Sequence, residues 1–410
     1  MEQQPVITDL PDYSAPSQLA QSLSVGFDLR AHPRLVFGEN CVNRVGEFAR
    51  ELSTNGKVLL VTDPGIEEAG HVTRVLTILK DAGLDVTLFD NVIQNPTTVE
   101  VDHCVETARE ADIDTIIGIG GGSAMDTAKG CNFLLTNGGA MEDYWGVGKA
   151  TQPMLPLIAI PTTGGTGSEC QSFALISRVD THAKMACGDP KAMAKISILD
   201  PTLTVTQPPI VTADTGLDAI SHAVETAVTT RRNELSMMYS RQAFRLLVAN
   251  FPRVLETPND LEARAGMQLG AAFAGTAIEN SMLGAAHATA NPLTAHYNVI
   301  HGQAVCVMLP AVVRFNAEDP EARKTYVQLA IVAGVAGTHD TETEAVDALI
   351  ARLQELLDLA MIPRTLSPHG VPRSDLPMLA SEAATQWTGR FNPRPVGQAE
   401  FEALYTEVWS

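Results

Sequence analysis

Ile113-Asp-Thr-Ile-Ile-Gly-Ile119 runs directly into Gly120-Gly121-Gly122-Ser123, and Ala124-Met-Asp-Thr-Ala-Lys129 follows. The first segment reads as a buried strand, the glycines as a turn and the last segment as the opening of a helix. That order offers backbone N–H groups and the positive end of a helix dipole to a phosphate. Glycine is needed there because a side chain would hold a pyrophosphate away from the backbone. A triple glycine after a strand also makes a plain tight turn, and it is not the G-x-G-x-x-G pattern of the usual dinucleotide folds. Its meaning rests on what surrounds it.

Around it, β-rich runs (Val58–Thr62, Val86–Phe89, Leu155–Ile160, Ile196–Leu199) alternate with helical patterns such as Val99–Ala111, apolar at Val101, Val105 and Ala108. Such alternation predicts a parallel sheet wrapped by helices, and the near-continuous apolar runs fit strands covered on both faces. At Pro208-Pro209 the character changes. Leu217–Thr229, Leu235–Phe251, Leu261–Ile278 and Thr343–Met361 carry apolar residues at three- and four-residue spacing. A chain of 410 residues is long for one core. The expectation is an N-terminal arm over residues 1–30, an α/β dinucleotide-binding domain over 31–208 and an all-helical metal-binding and substrate domain over 209–410, with a cleft between the domains.

Ligands of open parallel sheets bind beyond the carboxyl ends of the strands. Asp63, Asn95, Gly120–Ser123 and Thr162-Thr163 all fall at such ends, which favours a cofactor edge over separate turns. Each alone has a plainer reading: Asp63-Pro64-Gly65 is a turn sequence, and Thr162–Gly167 reads equally well as a flexible loop.

The helical half carries a second constellation: Asp218 and His222 in GLDAISHAVE, then His287 and His301 in AAHATANPLTAHYNVIHG. The first two are four apart and share a helix face. The second pair is fourteen apart, roughly 21 Å along one unbroken helix, so the chain must turn back between them. Pro292, Asn298 and Gly302 supply the means. One carboxylate and three imidazoles suit Fe(II) or Zn(II), with a substrate oxygen in a remaining position.

A formal net charge of −20 argues against binding nucleic acid or an anionic membrane, both of which need a basic face. Hydrophobic residues make up 45% and charged residues 19%, as in soluble globular proteins, and no segment reaches the length of a membrane span. The six cysteines show no C-x-x-C pairing and read as reduced, buried small hydrophobes of a cytoplasmic protein. The acidic, proline-containing N-terminus lacks the basic start and apolar run of a signal peptide.

GGGSAMDTAK, PTTGGTGSE (Pro161–Glu169) and D-x-x-x-H followed by H-x13-H resemble the iron-containing (group III) alcohol dehydrogenases. The likeness runs in order from Arg34-Leu-Val-Phe-Gly38 to Asn392-Pro-Arg-Pro395. It implies a dehydroquinate synthase-like architecture and hydride transfer between NAD(H) and a primary alcohol or aldehyde at one divalent ion, Fe(II) or Zn(II). By the same resemblance Gly121, Gly122 and Ser123 would hold the pyrophosphate, with Thr162 and Thr163 beside the nicotinamide. Asn95 and Lys184 match cofactor contacts, and Asp63 matches the position of an adenosine ribose, where its charge would disfavour NADP. Asp126 and Lys129 would lie in the first turns of the glycine-loop helix, touching the cofactor or forming a surface pair. The expected assembly is a homodimer or higher homo-oligomer.

One position departs from the family. Many relatives have H-x-x-x-H-P here, the second histidine being assigned to proton relay or substrate contact; this chain has Asn291 in His287-Ala-Thr-Ala-Asn-Pro292. Asparagine can hydrogen-bond a substrate but does not take a proton at neutral pH. His296 is a candidate replacement, and its plainer reading is a structural hydrogen-bonding residue. A hydroxyacid–oxoacid transhydrogenase, an NAD-using lyase on the same scaffold and a non-catalytic binding protein are the alternatives. Retention of all four ligand residues speaks against the last.

Overall fold

The strands around the glycine turn form within two residues of their expected bounds. In a computed structural model that describes residues 33–180, 183–337 and 339–410, they are β1 (Arg34–Phe37), β2 (Lys57–Val61), β3 (Asp85–Phe89), β4 (Thr115–Gly120), β6 (Leu157–Pro161) and β9 (Ile196–Leu199). The N-terminal arm expected over 1–30 lies outside the described residues. These six strands make one sheet, in the order β1-β9-β6-β4-β2-β3, and every pairing in it is parallel.

Alternate side chains of the central strands β2, β4 and β6 enter two cores. Val58, Leu60, Ile117, Ile119, Ile158 and Ile160 pack with Val45 and Phe48 of α1 (Val45–Leu52) and with Val72, Val75 and Leu79 of α3 (His71–Asp81). Leu59, Val61, Ile116 and Ala159 pack on the other side, with Val101, Cys104 and Val105 of α4 (Thr98–Ala111) and Met125 and Ala128 of α5 (Gly122–Asn137). Burial on both faces is why the strands read as unbroken apolar runs; each fully buried Leu or Ile contributes roughly 1.5–3 kcal/mol.

After β2 the chain runs outward to β3, whereas after β4 it crosses to β6 on the other side. The strand order therefore reverses between β2 and β4, which opens a crevice beyond their carboxyl ends. Asp63 and the glycine turn sit at that crevice.

A second sheet was not expected. β5 (Gly146–Val147), β8 (Lys184–Gly188) and β7 (Phe173–Ser177) lie side by side, β7 and β8 antiparallel. The glycine turn is also tighter than expected: Gly120 completes β4, and α5 begins at Gly122 rather than Ala124.

Beyond Pro208 the described chain has no strand and is built of helices, chiefly α6 (Pro209–Thr226), α7 (Glu234–Glu256), α8 (Leu261–Asn280), α9 (Ala285–Tyr297), α10 (His301–Asn316), α11 (Pro320–Val332) and α12 (Glu342–Leu359), then α13 (Leu376–Ala383) and α14 (Gln398–Val408). From Thr212 onward α6 is buried nearly all round, as expected of a helix through the middle of a bundle. The reversal between His287 and His301 falls at Asn298, which is left-handed with φ 53°. Pro292 does not break α9, which continues to Tyr297. Gly302 lies in α10, where a Cβ would come within 2.0 Å of the Asp214 carbonyl oxygen on α6.

The loop after β6 joins the two halves. A Cβ on Gly165 would stand 2.2 Å from Thr215 Cβ on α6, and one on Gly275 would stand 2.3 Å from the Gly167 carbonyl oxygen. The flexible-loop reading of Thr162–Gly167 is therefore overturned: its glycines let loop backbone lie directly against α6 and α8. No helix among the described residues is long and apolar enough to cross a membrane.

Candidate metal centre and cofactor edge

One face of α6 presents Asp218, His222 and, three residues on, Glu225. α9 brings His287 over that face and α10 brings His301. Asp218 Oδ1 lies 3.3 Å from His222 Nε2, 3.5 Å from His287 Nε2 and 4.0 Å from His301 Nε2. The His222 and His287 rings stack at 4.9 Å between centroids, and His301 stands 5.5 Å from His287. Asp218, His222 and His287 are buried, and each offers a ligand atom within 4.8 Å of the others. His301 closes the group on its open side, its side chain 28% exposed.

Asp218 Oδ1 and His287 Nε2 are buried without a hydrogen-bond partner among the described residues. Buried polar atoms are normally satisfied, so a carboxylate oxygen and an imidazole nitrogen left facing inward without partners fit a divalent cation, which both atom types can ligate. The electrostatics agree. Burial holds His222 down at about 4 and His301 at about 3, against the pull of Asp218; both are neutral imidazoles at pH 7, the form that binds metal. Burial would raise the Asp218 carboxyl, but the three histidines hold it well below the usual carboxylate range. Burial also opposes charge on His287, yet Glu225 and Asp218 together lift it to about 9. An ion would take the place of the proton on Nε2.

Glu225 is the residue that the sequence reading passed over. Its Oε2 stands 2.5 Å from His287 Nδ1, and its Oε1 accepts from Ala286 N–H at 2.6 Å. The only signal was the spacing Asp218, His222, Glu225, which continues one helix face.

At the crevice, Gly120 has φ 147°, and a Cβ there would lie 2.8 Å from Ala124 Cβ and 3.1 Å from Asp63 Oδ2. The N-cap of α5 is Gly121, with no side-chain cap, so the first N–H groups of that helix are free of side-chain competition for an anion. Gly122 and Ser123 open the helix. Thr163 Cγ2 lies 3.6 Å from where a Cβ of Gly121 would be. Thr162 donates its N–H to Gly120 O at 2.9 Å, while its buried hydroxyl has no partner among the described residues. Asp63 Oδ1 caps α2 (Pro64–Glu68), accepting from Gly65 and Ile66 N–H. Burial raises the Asp63 carboxyl, opposed by those two N–H groups.

Asn95, left-handed at φ 53°, accepts from Lys184, Nζ to Oδ1 at 3.4 Å. Burial lowers the Lys184 ammonium, opposed by Asp126 and Asp218, and Lys184 in turn helps to depress His301. The crevice and the histidine cluster thus lie within one another's field.

The surface-pair reading of Asp126 and Lys129 is wrong. Lys129 is fully buried, with Nζ donating to Ser168 O at 2.6 Å, Ser168 Oγ at 2.9 Å and Phe173 O at 3.0 Å. Three oxygens satisfy the three ammonium hydrogens and make that burial tolerable. Asp126 accepts from Ser168 Oγ at 3.1 Å, and burial pushes it up to about 6. Asn291 donates to Gln386 Oε1 at 2.9 Å. His296 turns its Nε2 to Glu382 at 2.8 Å with its side chain 39% exposed, apart from the buried cluster.

Comparison with known proteins places this geometry in context. Residues 32–201 match the family model described as iron-containing alcohol dehydrogenase, and residues 212–409 match that of the Fe-containing alcohol dehydrogenase family, C-terminal. Alcohol dehydrogenase 4 of Schizosaccharomyces pombe is 35% identical over 372 residues, covering 90% of this chain and 86% of its own. The 1,3-propanediol dehydrogenase of Klebsiella pneumoniae is 32% identical, covering 91% of this chain and 96% of its own. A crystal structure of 1,3-propanediol oxidoreductase superposes with a TM-score of 0.90 at 32% identity, over 94% of this chain and 100% of the other. Both the α/β half and the helical half match, and the chain belongs to the iron-containing alcohol dehydrogenase family.

Proposed function

We propose that Asp218, His222, His287 and His301 hold one divalent ion, Fe(II) before Zn(II), at which a primary alcohol and its aldehyde are interconverted. As a member of its family the chain is an NAD-dependent, metal-containing alcohol dehydrogenase. The observation that carries the site assignment is the convergence of Asp218 Oδ1 and three imidazole Nε2 atoms, with Asp218 Oδ1 and His287 Nε2 buried and lacking partners among the described residues. A bound ion supplies Lewis acidity to the substrate oxygen, and NAD supplies the hydride acceptor.

The chain's own residues do the aligning. The free N–H groups at the start of α5, with Gly121, Gly122 and Ser123, receive the pyrophosphate, and Thr162 and Thr163 flank the nicotinamide. Asn95, in the loop after β3, and Lys184, on β8, hold the cofactor, and Asp63 receives the adenosine ribose. Asn291 positions substrate through its amide and moves no proton. The Glu382 pairing of His296 supports a structural role for that ring. Unpaired cysteine thiols, five of them buried, support a cytoplasmic setting. Leu35 and Phe37, 37% and 46% exposed on the edge strand β1, support a homodimer or higher homo-oligomer.

The test is metal analysis together with a panel of alcohols and aldehydes assayed with NAD(H) and NADP(H) after Fe(II) or Zn(II) reconstitution. One ion per chain is expected, with loss of most of it in His287→Ala, because a three-ligand remnant loses geometry and charge balance. Full occupancy in His287→Ala would sink the ligand set. Steady accumulation of free NADH with an alcohol is expected; a single turnover that needs an oxoacid to continue would favour a transhydrogenase.

A further inference from the structure

Glu225 is buried among the helices and has two short contacts, each made by a different oxygen. Oε1 accepts from the Ala286 N–H at 2.6 Å, in the first turn of α9, and Oε2 stands 2.5 Å from His287 Nδ1. Space is kept for it: a Cβ on Gly284, the residue before α9, would come 3.1 Å from Oε1. The same helix that supplies Asp218 and His222 therefore also supplies a carboxylate to the far side of the ring that α9 supplies.

A carboxylate only accepts hydrogen bonds, so His287 Nδ1 must carry the hydrogen. In a neutral imidazole the lone pair then lies on Nε2, the atom 3.5 Å from Asp218 Oδ1. The Ala286 contact fixes the carboxylate, and the carboxylate fixes both the tautomer and the rotation of the ring. We infer that Glu225 is a positioning residue of the metal centre, holding His287 with its Nε2 lone pair aimed at the ion. The inference rests on the metal reading above and adds to it a residue that touches neither ion nor substrate. Carboxylates behind ligating histidines act in this way in metal sites generally.

The competing account is structural: Glu225 only caps the N-terminus of α9, where an acidic group is favourable in any case. Glu225→Gln separates the two. Glutamine keeps the shape, and its amide oxygen can still accept from Ala286 N–H. Its NH2 group then faces Nδ1, which must become an acceptor; the ring hydrogen moves to Nε2, where the ion would bind.

The experiment strips the full-length protein of metal and measures Zn(II) affinity by chelator competition, the visible spectrum of the Co(II)-loaded protein and the melting temperature of the apo form. For Glu225→Gln we expect an apo melting temperature like that of the wild type, Zn(II) affinity weakened on the order of 10- to 100-fold and shifted Co(II) bands. Unchanged affinity with an unchanged Co(II) spectrum would overturn the inference. So would weakened affinity that only tracks a lower apo melting temperature while the Co(II) bands stay in place. Wild-type protein that takes up no ion fails the metal reading itself, and this inference falls with it; a wild type that binds one ion beside an unaltered Glu225→Gln fails this inference alone.

Discussion

The two oxygens of Asp63 face different surroundings. Oδ1 caps α2, while Oδ2 faces the glycine turn at the crevice. A carboxylate at that place accepts from the 2′- and 3′-hydroxyls of a ribose and repels a 2′-phosphate. NAD is therefore expected to be preferred. Asp63→Ser keeps a capping oxygen and removes the charge, and should shift the NAD-to-NADP ratio of kcat/KM on the order of tenfold or more toward NADP, tenfold being about 1.4 kcal/mol. Wild-type enzyme using both cofactors equally would refute this role for Asp63. Asp63→Gly should shift the ratio in the same direction but also loosens α2, so the serine variant is the cleaner comparison.

Elements are pinned by single side chains as much as by their cores. Asp114, just before β4, accepts from Ser53 Oγ at 2.7 Å, Thr54 N at 2.5 Å, Thr54 Oγ1 at 2.8 Å and Asn55 N at 2.6 Å, tying the α1–β2 loop to the sheet. Burial works against its charge, but these donors prevail and hold the carboxyl at about 2. The folded value lies below the ~3.9 of an unfolded aspartate. The contribution is thus complete above about pH 4 and is lost as pH falls from ~4 towards ~2. After a discount for partial exposure it amounts to about 1–2 kcal/mol. Asp114→Asn should lower unfolding free energy by that much at pH 7, and the gap to wild type should close towards pH 2.5 in urea titrations. A gap of equal size at both pH values would contradict this account.

Across the whole molecule, the proposed centre ties α6, α9 and α10 together. An ion that binds only the folded chain stabilises it by about 2.7 kcal/mol at a free concentration of 100 times its Kd. For a helical half of this size that corresponds to roughly 5–10 °C in melting temperature. Adding Zn(II) or Fe(II) to stripped wild type should produce such a rise, a chelator should reverse it, and His287→Ala should show little of it. An equal rise in wild type and His287→Ala would place the ion elsewhere.

Much of this protein is legible in its sequence. The strands of the large sheet show as continuous apolar runs because both faces are buried, and Asp218 and His222 show as a pair because helix geometry is local. Asp63, Gly121 and Thr162 could be placed at strand ends because a parallel sheet gathers those ends along one edge. What stayed hidden depends on contacts distant in sequence. The β5–β8–β7 sheet is built of short strands whose pairing crosses long intervals, and the burial of Lys129 needs acceptors some forty residues away. The turn at Asn298 rather than at Pro292 is set by packing of α9 and α10 on α6. Glu225 has no role along the chain; it gains one only where α9 crosses α6 and brings His287 Nδ1 within reach of its carboxylate.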